Sequence, residues 1–199
     1  MLKVRILNES GLEQALYGFA LSFRKPDVDP ETWWTPEKVA KTKIIALKNA
    51  SRDGGHNKFL EHMIVWLSVT TTLEHHKQLD TYRIGVSKQS QSTMHTLSAV
   101  PLHCDHLDLD SSEFRSSADY EIYKEYLKML DKQAPRTKSK ALPQAYKQER
   151  EIVLSYKVLR HMIRQRHNHK LPEWQKFLHD VVAGLKTPEY LGEDILKLL

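Results

Sequence analysis

Leu2, Val4 and Ile6 alternate with Lys3 and Arg5, the period of a strand with one face buried, so the chain is predicted to open with a strand. Ser10 followed by Glu13 reads as a capping box. Leu12, Leu16, Phe19, Ala20 and Phe23 then keep helical spacing to a stop before Pro26. Pro26 and Pro30 mark a loop, and Thr35-Pro36-Glu37 opens a second helix with proline in its first turn. Asn49 to Gly55 is a turn-rich link. Ile64 to Thr70 is apolar on both faces and rich in β-branched residues, which predicts a buried strand, and Thr71 to Tyr82 is expected to be helical. Residues 101–118 read as loop. From Ser116 a helix is predicted with Ile122, Tyr126, Met129 and Leu130 on its apolar face. The basic stretch Lys132 to Lys140 reads as a solvated connector. A long helix is expected from about Gln144 to Arg166, with Leu159, Met162 and Ile163 on its apolar stripe. Leu171-Pro172-Glu173 and Thr187-Pro188-Glu189 begin two further helices.

With 199 residues and 40% hydrophobic content, the simplest organisation is one domain over 1–199. A chain of that size buries about 70% of the surface its unfolded form exposes. No stretch approaches the ~20 apolar residues of a membrane span, and charges stand where a signal peptide needs its apolar run. The single cysteine, Cys104, agrees with a reducing compartment, and a cytoplasmic location is expected. A net charge of +5 suits an anionic ligand.

The chemistry concentrates between Gly55 and His95. His56, Glu61 and His62 precede the buried segment; Gln78, Arg83 and a serine-rich stretch with Ser87, Ser90 and Ser92 follow it. This grouping points to a polyanionic ligand. Further on, Arg166 ends the apolar stripe of the long helix and Ser155 shares its face. A charge there either pairs with a buried acid or holds an anion. Arg160 and Arg164 lie on another face and are expected in solvent. His75 and His76, adjacent in a helix, face different directions and make a poor metal pair. His103, Cys104 and His106 lack a second ligand pair at zinc spacing, so no metal is expected.

The order Gly-His-x-x-x-x-Glu-His, a short strand, Gln-x-x-x-x-Arg and a Ser-x-Gln-Ser-x-Ser stretch resembles the flavin-dependent thymidylate synthases. Ala20-Leu21-Ser22-Phe23 and Leu142-Pro143 with Ser155, His161 and Arg166 are similar to further parts of that family. The resemblance implies an α+β domain with a twisted antiparallel sheet flanked by helices, assembled as a homotetramer. It implies FAD held by Ser22, His56, Arg83, Ile84, Ser155 and His161. It also implies a pyrimidine nucleotide such as dUMP near Gln78, Ser90, Ser92 and Arg166, of which Ser92 and Arg166 stand nearest the reaction. NADPH and methylenetetrahydrofolate would be co-substrates of a methyl transfer.

Several family positions differ here. Thr81, Met94 and Ser139 stand where the family carries arginines, Tyr82 replaces its histidine and Ser90 its glutamate. A charged hydrogen bond to phosphate contributes roughly 1.5–3 kcal/mol, so these changes weaken the substrate clamp more than the flavin set. A non-catalytic member keeping the fold for ligand binding or assembly is therefore the alternative. The basic stretch Lys132 to Lys140 leaves nucleic acid as a subordinate third reading, and no membrane partner is expected.

Overall fold

The computed structural model describes residues 2–199. In chain order it contains β1 (Lys3–Ser10), α1 (Leu12–Ala20), α2 (Pro30–Trp33), α3 (Pro36–Ala50), β2 (Ile64–Thr72), α4 (Leu73–Leu79) and β3 (Val86–Ser90). It continues with α5 (Thr93–Ala99), α6 (Ser117–Asp131), α7 (Pro135–Ala141), β4 (Lys147–Ser155), α8 (Tyr156–Arg166), α9 (Pro172–Gly184) and α10 (Glu193–Leu196). Short 3₁₀ segments cover Leu21–Phe23 and Gly54–Glu61. The strands form one four-stranded antiparallel sheet in the order β1-β2-β4-β3, so the expected α+β class holds. β2 and β4 are fastened at both ends: Tyr156 N–H donates to Met63 O, and Leu73 N–H donates to Tyr146 O.

Local chemistry explains most boundaries. The Thr35 hydroxyl accepts from Lys38 N–H at 3.3 Å and Ser116 Oγ from Asp119 N–H at 3.2 Å, as the sequence leads one to expect. The first helix departs from its expected cap. Its N-cap is Gly11, at φ 94°, and not Ser10, which closes β1. A Cβ at Gly11 would collide with the carbonyl oxygen of His62, so only glycine allows that approach.

The largest departure lies between Gln144 and Arg166. Its first part is β4, and only Tyr156 to Arg166 is helical. Gln148, Ile152 and Leu154 bury one face of that strand, a period of two that hydrogen bonding to β2 stabilises. The serine-rich stretch is occupied by β3 and α5. Lys132 to Lys140 includes most of α7, and there Lys138 is buried, its ammonium donating to Leu97 O and Asp131 Oδ1. In α6 the buried residues are Leu127 and Leu130, whereas Ile122 is 68% exposed.

The described residues divide into two compact units. One gathers the start of β1 with Val69–Tyr82 and Lys88–Glu151; its apolar cluster joins Leu97, Leu102, Leu107, Leu127, Leu130, Leu142 and Tyr146. The other comprises Val4–Ser68, Arg83–Ser87 and Ile152–Leu199, and it buries Leu60, Met63, Leu159, Met162, Trp174 and Phe177. Among the described residues no helix is long and apolar enough to cross a membrane.

Candidate functional site

In the second unit, α1 runs directly into the turn Leu21–Phe23, and Gly54–Glu61 follows α3 after a short link. Between them lies a cavity of about 400 Å³ lined by Phe19, Ser22, Phe23, Asn49, Arg52, Gly55 and His56. Ser22 and His56, distant in the chain, are thus brought together. Phe19 meets Phe59 edge-on at 5.3 Å and Phe23 at 6.3 Å, while Phe23 itself is 72% exposed. Arg52 Nη1 donates to Asn49 Oδ1 at 3.3 Å. An aromatic wall faced by a guanidinium and an imidazole suits a flat ring carrying nearby negative charge.

Buried contacts hold the rim in place. Asn57, next to His56, is fully buried; its Nδ2 donates to Ala50 O and its Oδ1 accepts from Lys157 Nζ. Asp53, which precedes the glycine pair, receives both of its hydrogen bonds from Arg164 Nη1, at 2.8 and 2.9 Å. Arg164 also donates to Asp194 Oδ2 at 2.7 Å, and Arg160 grips the same carboxylate at 2.9 and 3.1 Å. Burial works against the Asp194 carboxylate, but Arg160, Arg164 and Ser51 together hold its pKa down to about 2. Arg160 is therefore not a solvated cation, whereas Arg164 stays exposed, as expected, while pairing with Asp53 and Asp194. Arg160 is only 3% exposed and also donates to Leu191 O.

The remaining members of the expected flavin set lie in the same unit. Arg83 is exposed and Ile84 is 93% exposed, in the turn before β3. Gly85, at φ 71°, ends that turn, and a Cβ there would lie 2.9 Å from Val158 Cγ2 of α8, so glycine lets the turn lean on that helix. Ser155 caps α8, its Oγ accepting from Val158 N–H at 3.3 Å, which commits the hydroxyl to the helix. His161 is exposed on α8. Arg166 is half-buried, its guanidinium 4.8 Å from the ring of Trp174. Neither Arg83 nor Arg166 lines the cavity of Ser22 and His56.

The expected substrate residues Gln78, Ser90 and Ser92 belong to the first unit. Gln78 is half-buried on α4, Ser90 ends β3 in solvent, and Ser92 caps α5, accepting from His95 N–H at 3.4 Å. Thr93 Oγ1 and Ser139 Oγ are 2.9 Å apart, so α5 and α7 meet through two hydroxyls. In the same unit α4 is anchored by His76, fully buried, whose Nε2–H donates to Gln148 O at 2.8 Å. Burial, aided by Arg150 nearby, lowers the His76 pKa to about 4 and keeps the ring neutral. Asp80 stands between Arg150, at 2.9 and 3.0 Å, and Lys88, at 3.4 Å.

Sequence reasoning missed Arg52, Asn49 and Phe23 as lining residues and Asn57 as a support. Arg52 and Asn49 sit in what read as a turn-rich link, where only the proximity of α1 gives them a role.

No known sequence family and no curated protein sequence matches this chain. Solved structures do. Thymidylate Synthase X from Helicobacter pylori, crystallised with FAD and dUMP, superposes with a TM-score of 0.74 at 17% identity, over 99% of this chain and 100% of that one. A second structure of the flavin-dependent thymidylate synthase from Helicobacter pylori, also complexed with FAD and dUMP, gives 0.74 at 16% identity over 97% and 99%. The chain has the fold of these flavin-dependent thymidylate synthases.

Proposed function

We propose that this protein is a divergent flavin-dependent enzyme that binds FAD in the cavity of Ser22 and His56 and transfers a one-carbon group to a pyrimidine nucleotide. The observation that carries the reading is the meeting of Ser22 and His56 in one aromatic-walled cavity, on a fold whose solved examples hold FAD and dUMP. Phe19 and Phe23 present apolar ring faces to a flat group, and Arg52 and His56 supply positive charge beside it. The cavity is smaller than a whole dinucleotide, so the rest of FAD would extend past its rim toward further residues of the flavin set. Bound FAD would supply the electron transfer of the reaction. In this reading Arg83, Ile84, Ser155 and His161 complete the flavin surroundings, and Gln78, Ser90, Ser92 and Arg166 receive the nucleotide. NADPH as reductant, methylenetetrahydrofolate as carbon donor, a homotetrameric assembly and a cytoplasmic location belong to the same reading.

The absorption spectrum of the protein mixed with FAD and desalted tests it. Retained flavin is expected, with roughly tenfold weaker retention in His56→Ala and Arg52→Ala. A colourless protein, or variants that hold flavin as well as the parent, would overturn the assignment.

A second reading, a member that binds ligand without turnover, is favoured by the meeting of α5 and α7 through Thr93 and Ser139, with Met94 exposed beside them. No cation stands at these three positions to clasp a phosphate. Flavin retention without dUMP-dependent oxidation of NADPH would favour this reading over the enzyme.

A further inference from the structure

We propose that the first unit carries a separate binding site for a small aromatic anion, a single ring bearing one carboxylate or phosphate. A cavity of about 300 Å³ opens where the start of β1, the end of β2 and the start of β4 come together beneath α5. Lys3 and Lys147 reach it from the two outer strands of this group and Thr70 from the strand between them. Neither ammonium has an ion-pair or hydrogen-bond partner among the described residues. The phenol of buried Tyr146 also lines the cavity and likewise has no hydrogen-bond partner among the described residues. Leu97 of α5 and Val100, which follows that helix, supply apolar surface.

The charge balance at the rim favours an anion. Asp105 is the one carboxylate lining the cavity and is exposed at its rim, where its N–H donates to His103 Nδ1 at 3.3 Å; His106 accepts from His103 N–H through Nδ1 at 3.2 Å. Two ammonium groups, a hydroxyl and a phenol therefore face the space against one well-exposed carboxylate, a balance that still draws a negatively charged head. The apolar flank and the volume, at the small end of ligand cavities, set the body of that ligand at a single ring. The site does not rest on the flavin reading, since it shares no residue with the cavity of Ser22 and His56.

Calorimetric titration of the purified full chain with benzoate and with phenyl phosphate tests the proposal, with benzamide and inorganic phosphate as controls. Saturable binding is expected for one or both aryl anions, and the stronger of the two identifies the head group. Benzamide, which keeps the ring without the charge, and inorganic phosphate, which keeps the charge without the ring, are expected to bind more weakly. Lys3→Gln and Lys147→Gln should each weaken the aryl anion roughly five- to tenfold, while Lys43→Gln, an exposed lysine on α3, should leave it unchanged. Val100→Trp, folded by circular dichroism, should fill the cavity and abolish binding. Benzamide as tight as benzoate, undiminished binding in both cavity lysine variants, or no saturable binding by the folded parent would each overturn the proposal.

Discussion

Two carboxylates in this protein are held by pairs of cations, and their settings differ. In the unit that carries the cavity of Ser22 and His56, Asp194 lies between Arg160 and Arg164, and Arg160 is almost wholly buried. In the unit that carries Gln78, Ser90 and Ser92, Asp80 lies between Arg150 and Lys88, each 17% exposed, and a neutral buried imidazole, His76, packs into the same region. The first arrangement is braced mainly by arginine–carboxylate pairs, and acid reaches it only below pH 3.8, as Asp194 approaches its folded pKa of about 2. The second depends on a group whose neutrality is itself a function of pH. Similar ion pairs thus give one region that resists acid and another that yields to it, and the difference comes from burial and from the neighbouring imidazole.

Removal of the buried guanidinium strains this contrast most. Arg160→Ala leaves Leu191 O and part of Asp194 without their donor and is expected to cost about 3–5 kcal/mol in urea denaturation. Arg150→Ala removes a partly wet donor and should cost about 1–2 kcal/mol. Equal losses would show that burial does not separate the two sites.

Acid separates them next. The folded pKa of His76, about 4, lies below its ordinary 6.5. Between those values the unfolded chain binds a proton that the folded chain refuses. The contribution of neutral His76 is therefore complete above pH 6.5 and is lost as pH falls to 4, by about 3 kcal/mol in all. Asp194 runs in the lower window: its folded pKa of about 2 is below the ordinary 3.8, so its stabilisation is present above 3.8 and disappears as pH falls through 2. Denaturation of the parent and of His76→Gln at pH 7 and pH 4.5 checks this, because the variant should lose most of the slope between the two. In the parent, hydrogen exchange at pH 5 should speed up in α4 and the start of β4 before it does in α8 and α10. A uniform acceleration would contradict the comparison.

The smallest expected effect concerns the serine caps. Ser92→Ala should cost about 1 kcal/mol by freeing His95 N–H, and Ser155→Ala a similar amount by freeing Val158 N–H. If Ser155 touches a flavin as well as capping α8, its variant should also lose flavin retention, whereas a pure cap would alter stability alone.

Much of the helical plan was legible because its signals are local. Thr35-Pro36, Ser116 and Leu171-Pro172 mark starts that depend only on neighbouring backbone, and the structure begins α3, α6 and α9 there. The apolar run at Ile64 named β2 for the same reason. Of the candidate site, Ser22 and His56 were visible in their motifs, and they share a cavity. Arg52 was not, since nothing in its own segment distinguishes it from a solvated turn residue. Arg160 was misplaced in solvent because helical periodicity sets its direction but not what lies beyond it; Asp194 and Leu191 arrive from the far end of the chain.

By itself, then, the amino-acid order determined where helices start, that Ile64 onward is a buried strand, and which short stretches carry polar chemistry. These follow from interactions among near neighbours. Only the tertiary structure decided that Lys147–Ser155 is a strand, that Arg160 is buried in an ion pair, and that Ser22 meets His56. A ladder hydrogen bond, a desolvated charge and a cavity wall each need a partner from distant sequence, and no local pattern encodes where that partner will be.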